Sequence, residues 1–147
     1  MKTYSAKPTD VTRAWYVLDA TETPLGRLAT VAASLLLGKG KPGFIHHIDV
    51  GDYVIVINSD NLVVTGGKET KKTYYRHTGF PGGIKERSLA DEKALDSTAV
   101  IHKAVRGMLP VNKLRPERLR RLKIFIGQDH QHAPQNPVKY SLKKESK

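Results

Sequence analysis

The sequence predicts an α/β fold: a single three-layer α/β/α domain around a mainly parallel sheet of roughly four strands, with basic loops and an extended C-terminal tail. Three consecutive patterns support this prediction. A short β-type run at residues 15–18 is followed by apolar residues at helical spacing over residues 25–37, and then by a run at 53–57 that is apolar at every position. A strand, a buried helix and a buried strand in this order form a βαβ unit, whose two strands lie parallel in one sheet.

The first strand and the first helix are bounded by turn and capping residues. Asp19-Ala-Thr21 closes the strand, and Thr23 is placed to cap a helix that begins at Pro24, the helical position that proline favours. We expect Gly38 to end this helix. One helical face is apolar and carries Leu25, Leu28, Ala29, Ala32, Leu35 and Leu36. Further apolar residues widen this face, so we expect little of the helix to contact water.

The middle of the chain continues with a buried strand and a long loop. Tyr53–Ile57 has no polar face, which indicates a strand that is buried on both sides. Leu62–Thr65 is predicted to be another short strand, and residues 66–87 a long, glycine-rich, basic loop. A loop of this length in so small a domain is usually functional.

The C-terminal half is predicted to contain two helices and the last strand. Apolar residues recur at helical spacing over 101–109, and a second, short basic helix is expected to begin at Pro116. Lys123–Ile126 is the last predicted strand. The periodicity then ends, so we place the domain at residues 1–137 and a lysine-rich tail at residues 138–147.

The charge of the chain is strongly positive and unevenly distributed. The formal net charge is +11 at pH 7, and the pI is about 9.9. Residues 1–65 contain six basic and six acidic residues, whereas residues 66–147 contain 19 basic and eight acidic residues and so carry the whole excess. A neutral half that supplies the fold and a basic half that supplies a partner surface indicate a polyanionic partner, most simply a nucleic acid.

Two segments carry most of this charge. Between Lys103 and Lys123, eight of 21 residues are Lys or Arg and Glu117 is the sole acid. A solvated helix face normally mixes both signs, so this segment favours binding to phosphates. In the 66–87 loop, glycines would let a phosphate chain approach the backbone, and aromatic side chains could stack on unpaired bases.

The tyrosines of that loop have a second interpretation, in which Tyr74 and Tyr75 straddle a strand, one in the core and one outside. The residues of these two segments that are predicted to bind nucleic acid are Lys68, Lys71, Lys72, Tyr74, Tyr75, Arg76, His77, Lys85, Arg87, Arg106, Lys113, Arg115, Arg118, Arg120, Arg121 and Lys123.

The motifs of nucleotide-using enzymes are absent. A phosphate-binding loop needs Gly-x4-Gly-Lys-Ser/Thr between a strand and a helix, and neither residues 66–69 nor residues 79–85 fit this pattern. No dinucleotide fingerprint follows the first strand. The histidines at positions 46, 47, 130 and 132 lack the spacing of metal ligands on a defined helix or on paired strands. We therefore expect no catalytic site, no metal and no cofactor.

Composition also bears on the compartment. The chain contains no Cys, which excludes disulfides and thiolate metal sites. The first residues lack the apolar core of a signal peptide, and no segment approaches the length of a membrane span. We expect a soluble, cytoplasmic protein with no membrane partner and no small-molecule substrate.

Six segments of the chain form an ordered set of motifs. They are R-A-W-Y-V-L-D-A at 13–20, L-G-R-L-A at 25–29, G-D-Y-V-I-V-I-N at 51–58, V-T-G-G-K at 64–68, Y-Y-R-H-T-G-F-P-G-G at 74–83 and V-R-G-M-L-P at 105–110. In this order and spacing they resemble the family of bacterial large-subunit ribosomal protein thirteen, over about residues 2–137.

The resemblance implies a small α/β/α domain without catalytic activity. Its expected partners are large-subunit rRNA and neighbouring large-subunit ribosomal proteins, and its expected role is early in subunit assembly. The RNA-facing loops of the family correspond to Lys39 and Lys41, to the segment 68–87, and to the segment from Arg106 to Lys123.

Two other classes of protein compete with this interpretation. A free-standing DNA- or RNA-binding regulator fits the charge, but no recognition-helix motif is present, and Pro110 and Pro116 interrupt the basic segment. A nucleotide-using enzyme fits the α/β fold, but the loop motifs fail. A structural rRNA-binding protein of the ribosome fits the charge distribution, the 66–87 loop and the resemblance, and is the function that the sequence predicts.

Overall fold

The computed structural model describes residues 5–141. Its strands are β1 (Trp15–Asp19), β2 (Tyr53–Ile57), β3 (Thr73–His77), β4 (Ile84–Ser88), β5 (Leu122–Ile124) and β6 (Val138–Lys139). Its α-helices are α1 (Leu25–Leu37), α2 (Lys68–Lys71), α3 (Leu89–Leu95), α4 (Ser97–Met108) and α5 (Arg115–Arg120). Short 3-10 helices lie at Pro8–Asp10, Ser59–Asn61 and Ala133–Gln135.

Four strands form one parallel sheet in the order β5-β2-β1-β6. Strands β1 and β2 pair in register from Trp15 opposite Tyr53 to Asp19 opposite Ile57, and helix α1 connects them. The βαβ unit is therefore present. The prediction of an α/β fold with a mainly parallel sheet of about four strands is confirmed.

The hydrophobic core lies between the sheet and helices α1, α3 and α4. Leu18 of β1 and Val54 of β2 are fully buried there together with Leu28 of α1 and Ile101 of α4. Because side chains alternate along a strand, Ile55 points to the opposite face of the sheet, where it is also fully buried. The continuous apolar run of β2 is thus explained by burial on both of its faces.

Helix α1 begins differently from the prediction. It starts at Leu25 with Pro24 as the N-cap residue, and no side chain caps it. The hydroxyl of Thr23 is buried without a hydrogen-bond partner among the described residues. The Leu25 N–H instead donates to the Val63 carbonyl at 3.0 Å, so a neighbouring segment satisfies this end of the helix. At the other end Gly38 adopts φ +77°, as predicted for a terminating glycine.

In the middle of the chain, the secondary structure predicted for two segments is wrong. Residues 62–65 form no strand, although the Val63 carbonyl accepts a hydrogen bond from the first residue of helix α1. Residues 66–87 are not a loop: they contain α2 and most of an antiparallel hairpin, β3 and β4. The strands of this hairpin are largely exposed, so they lack the apolar alternation by which a strand is recognised in a sequence.

The C-terminal half departs from the prediction mainly at its boundaries. Helix α3 was not predicted, α4 begins four residues before Ile101, and β5 ends two residues before Ile126. Strand β6 pairs with β1 just beyond the predicted boundary at residue 137. The remainder of the predicted tail, residues 142–147, lies outside the described residues. None of the helices within residues 5–141 is long and apolar enough to cross a membrane.

Candidate nucleic-acid interface

The hairpin of β3 and β4 presents two chemically different faces. Its register places Tyr74 opposite Arg87 and Arg76 opposite Lys85, so these four side chains share one face, which we call the basic hairpin face. The other face, which we call the outer hairpin face, carries Tyr75, His77, Ile84 and Glu86. The register thus places the cations Arg76, Lys85 and Arg87 on one face and Tyr75 and His77 on the other.

Backbone conformation explains why glycine occupies positions in the hairpin turn. Gly79 and Gly82 adopt φ values of +91° and +71°, which other residues rarely reach. The Thr78 N–H donates to the Gly83 carbonyl at 2.9 Å, and the Gly83 N–H donates to the Phe80 carbonyl at 2.9 Å. The turn therefore accounts for these glycines without any close approach of a phosphate chain.

Tyr74 fixes the hairpin to the body of the protein. Its ring packs against the hydrophobic core, whereas Tyr75 is 67% exposed. The two tyrosines thus straddle the strand, as the second interpretation of the sequence had it, and the Tyr75 ring is the one open to a base. The Lys72 ammonium lies 5.1 Å and the Lys103 ammonium 4.7 Å from the centre of the Tyr74 ring. Burial raises the pKa of the Tyr74 hydroxyl.

A single carboxylate anchors the base of the hairpin. Glu92 of α3 accepts hydrogen bonds from Arg87, at 3.1 Å, and from Lys103 of α4. The hydrogen bond from Lys103 is the largest of the effects that hold the pKa of Glu92 below its usual value. The side chains of Arg87 and Lys103 are still 51% and 44% exposed. Both cations can therefore contact an external anion while they position the hairpin.

Eight of the predicted residues are exposed cations that form no ion pair and no side-chain hydrogen bond with another residue of the described chain. They are Lys39 after α1, Lys68 and Lys71 in α2, Arg76 in β3, Lys85 in β4, Arg106 in α4, Lys113 before α5, and Arg120 in α5. A cation without an internal partner keeps its full capacity to bind a phosphate. These eight residues are the strongest part of the predicted interface.

Arg118 and Arg121, which the sequence places among the nucleic-acid-binding residues, lie in the interior. They are 1% and 6% exposed, and together with Arg13 they surround Asp49 in what we call the Asp49 cluster. Arg121 donates from both terminal nitrogens to the carboxylate, at 2.6 Å for Nη2 to Oδ1, and Arg118 Nε lies 3.4 Å from Oδ1. Arg120, between them, points to solvent.

Arg121, which directly follows α5, also binds backbone carbonyls just before β2 and in the last turn of α1. Its Nη2 donates to the Leu36 carbonyl at 3.1 Å, and its Nε donates to the Asp52 carbonyl at 3.3 Å. Gly51 makes this approach possible, because a Cβ atom there would lie 1.7 Å from the Leu36 oxygen and 2.9 Å from Arg121 Nη2. The geometry gives Arg121 a structural role.

The charge of Asp49 is stabilised by its partners. Burial alone would raise the pKa of this carboxyl, but the hydrogen bonds and charge of Arg121, together with the charges of Arg118 and Arg13, hold the pKa of Asp49 below its usual value. The cluster is therefore a buried network in which the carboxylate and the guanidinium groups depend on one another.

Two other predicted residues are largely occupied within the protein. Lys41 donates from Nζ to the Thr12 carbonyl at 2.7 Å, to the Val50 carbonyl at 2.9 Å and to Asp52 Oδ1 at 2.6 Å. Arg115 donates to the carbonyls of residues 109 and 110, at 2.8 and 3.2 Å. An ammonium has three N–H donors, so Lys41 has no donor left for a phosphate.

Three of the four histidines considered as metal ligands, His46, His130 and His132, lie against aromatic rings. His132 is 5.1 Å from Trp15 and 5.8 Å from Phe125, and His46 is 5.0 Å from Phe44, each measured between ring centres. Within residues 5–141, no group of three or more His, Cys, Asp or Glu side chains is arranged to hold a metal ion.

Sequence reasoning left out two cations that the fold brings to this surface. Lys103 stood at the edge of the basic segment, but only the structure shows that it meets Tyr74 and Glu92. Arg27 is exposed in the first turn of α1 and lines a groove together with Lys68, Lys72 and Lys103. The motif L-G-R-L-A marked its position, although nothing in that motif indicates a neighbour in α2 or α4.

The fold and these motifs agree with comparisons to known proteins. The family model described as Ribosomal protein L13 matches residues 13–131. The large ribosomal subunit protein uL13 of Alcanivorax borkumensis is 53% identical over 142 residues, which cover 97% of this chain and 100% of that protein. The protein of the same name from Halorhodospira halophila is 52% identical over 97% of this chain and 100% of its own length.

A more distant relative gives the same result. The large ribosomal subunit protein uL13 of Mycobacteroides abscessus is 49% identical over 143 residues, with 97% of each chain covered. The family model spans strands β1 to β5, which include the hairpin, and helices α1 to α5. This chain therefore belongs to the Ribosomal protein L13 family.

Proposed function

We propose that this chain is a structural component of the large ribosomal subunit in the cytoplasm and that it binds large-subunit rRNA early in subunit assembly. The relatives named as large-subunit proteins support the first part. The observation that carries rRNA binding is the set of eight exposed cations without internal partners. Neighbouring large-subunit proteins are the other proposed partners.

The chemistry of the surface favours RNA phosphates as the main ligand. Exposed Lys and Arg side chains gain binding free energy from a polyanion because each phosphate contact releases condensed counterions. Tyr75 and Phe80 are 67% and 74% exposed beside the basic hairpin face and can stack on unpaired bases. Arg118 and Arg121, although predicted from sequence, are left out of the proposed interface because Asp49 already holds them.

Salt dependence tests the proposed dominance of phosphate contacts. If all eight free cations contact phosphates, the logarithm of the binding constant for large-subunit rRNA should fall with the logarithm of salt concentration at a slope of about −6 to −7. Filter binding of the full chain to transcribed rRNA between about 50 and 200 mM salt measures this slope. A slope shallower than about −2 would contradict the proposal.

A matched pair of charge reversals tests the location of the interface. Lys85→Glu should weaken rRNA binding about tenfold, because one phosphate contact is lost and a like charge faces the backbone. Lys7→Glu changes the net charge equally at an exposed position that lies outside the hairpin and is not among the predicted sites, and it should have little effect. Equal losses in both variants would show that binding depends on net charge alone.

Reconstitution tests the proposed early action. Subunit assembly from purified components without this chain should stop at particles that sediment more slowly than the complete subunit. Adding the chain at the start should restore the complete particle, whereas adding it after the other proteins should restore little. Full recovery after late addition would rule out an early role.

A further inference from the structure

Two helical glycines have no explanation within the described fold. Gly26 lies in the first turn of α1 and Gly107 in the last turn of α4, and neither adopts a positive φ. A Cβ atom at either position would meet no other atom within 4 Å beyond its own helix and its chain neighbours. Neither an unusual backbone conformation nor internal packing therefore requires glycine, which is a poor helix former.

Both glycines line the same groove between α1, α2 and α4. The groove has a volume of about 660 Å³, and its charged lining residues are Arg27, Lys68, Lys72 and Lys103. No Asp or Glu lines it. Arg27 and Lys68 are exposed and form no ion pair with any other described residue. Uncovered backbone thus lies beside four positive charges.

The groove is continuous with the basic hairpin face. Lys103 lines both this groove and the depression of the hairpin, whose other charged lining residues are the cations Arg76, Lys85 and Arg87 and the carboxylates Glu86 and Glu92. The Tyr74 ring holds the Lys72 and Lys103 ammonium groups at the junction. A line of cations therefore runs from the hairpin to the two glycines, which matches the repeating charge of a nucleic-acid backbone better than a single anion.

We propose that this groove, which we call the Gly26–Gly107 groove, binds the sugar-phosphate backbone of the rRNA strand that crosses the basic hairpin face. The two glycines let that backbone approach the helices closely, and Arg27, Lys68, Lys72 and Lys103 neutralise its phosphates. The proposal rests on the proposed function, since it assigns a further contact to the same RNA.

The test fills the groove without removing any charge. The double variant Gly26→Gln with Gly107→Gln places two side chains where the RNA backbone would lie. Gln is a better helix former than Gly, so the melting temperature should not fall. If two phosphate contacts are lost, affinity for naked large-subunit rRNA should drop about tenfold and the salt slope should become shallower by about 1.5. Ala94→Gln, at an exposed position of α3, is the matched control and should behave like the unmodified chain.

The outcomes separate this inference from the proposed function. Weaker rRNA binding with a shallower slope in the glycine variant, but not in the control, supports the groove. If the glycine variant binds rRNA normally while Lys85→Glu does not, the groove proposal fails and the proposed function stands. If the glycine variant binds naked rRNA normally but no longer enters large-subunit particles, the groove receives a protein and the proposal also fails. Absence of rRNA binding by the unmodified chain would overturn both.

Discussion

In the Asp49 cluster the side chains of Arg118 and Arg121 are at most 7% exposed and bind a carboxylate, whereas on the basic hairpin face Arg76 and Lys85 are exposed and have no such partner. The two regions contain the same type of charge in similarly basic segments. The difference is that the fold supplies an internal anion to one and none to the other. A basic segment therefore becomes a binding surface where its cations stay exposed, either without an internal partner or, like Arg87 and Lys103, sharing one carboxylate.

Helix geometry produces this difference within α5 itself. Arg118 and Arg121 are three residues apart and lie on the side of the helix that faces Asp49, whereas Arg120 lies on the exposed side. A charge reversal at Arg120 therefore tests the interface, whereas the same change at Arg118 or Arg121 would place a second negative charge beside Asp49 in the interior. Arg118 and Arg121 are therefore unsuitable probes of RNA binding.

Removing the carboxylate at the centre of the cluster should have the largest effect on stability. Asp49→Ala leaves the guanidinium groups of Arg118 and Arg121 buried without a counter-charge, which should lower the free energy of unfolding by about 3–5 kcal/mol. Urea denaturation measures the loss. The matched change at an exposed charge, Arg120→Ala, should alter this free energy by no more than about 0.5 kcal/mol. A loss below about 1 kcal/mol for Asp49→Ala would mean that water reaches the cluster and that its arginines are not committed to the fold.

Acid should weaken the same cluster. Because the pKa of Asp49 is lower in the folded than in the unfolded chain, its contribution to stability is complete above the unfolded value of 3.8 and is lost as the pH falls through the folded value. The free energy of unfolding should therefore decrease as the pH is lowered below about 4. In Asp49→Asn, which cannot take up this proton, the decrease should be less steep. Urea denaturation at several acidic pH values compares the two slopes, and identical slopes would contradict the role assigned to Asp49.

The parts of the fold that the sequence predicted are those that local patterns determine. The apolar face of α1, the terminating Gly38 and the continuous apolar run of β2 each follow from burial or from backbone conformation at nearby residues. The βαβ unit then follows from their order. The hairpin was missed because its strands are held by backbone pairing and by Tyr74, not by an apolar face.

The candidate site was predicted less well because contacts between residues distant in sequence decide which cations are paired internally and which stay exposed. Asp49 is 69 residues from Arg118 and 72 residues from Arg121, and no local pattern indicates that they pair. Arg27 likewise meets the lysines of α2 and α4 only through the packing of three helices. The net charge of +11 indicated that a polyanion is bound, but the tertiary structure decides which cations are free to bind it.

Glu92 binds two cations that both hold the hairpin in place and face the proposed RNA. Neutralising Glu92 should have the smallest effect of the changes considered. Its carboxylate is buried, yet its partners Arg87 and Lys103 are about half exposed and face the proposed RNA. Glu92→Gln keeps the shape of the side chain and removes the negative charge that both cations bind. If this frees one cation for a phosphate, rRNA affinity should rise about fivefold and the salt slope should steepen by about 0.7 to 0.9. Asp129→Asn removes one negative charge at an exposed position after β5, outside the hairpin, and should leave both quantities nearly unchanged. Filter binding of the two variants decides the matter. Equal gains would mean that RNA responds to the net charge of the chain, whereas a gain confined to Glu92→Gln would show that an internal carboxylate limits the basic hairpin face, as Asp49 does completely for Arg118 and Arg121.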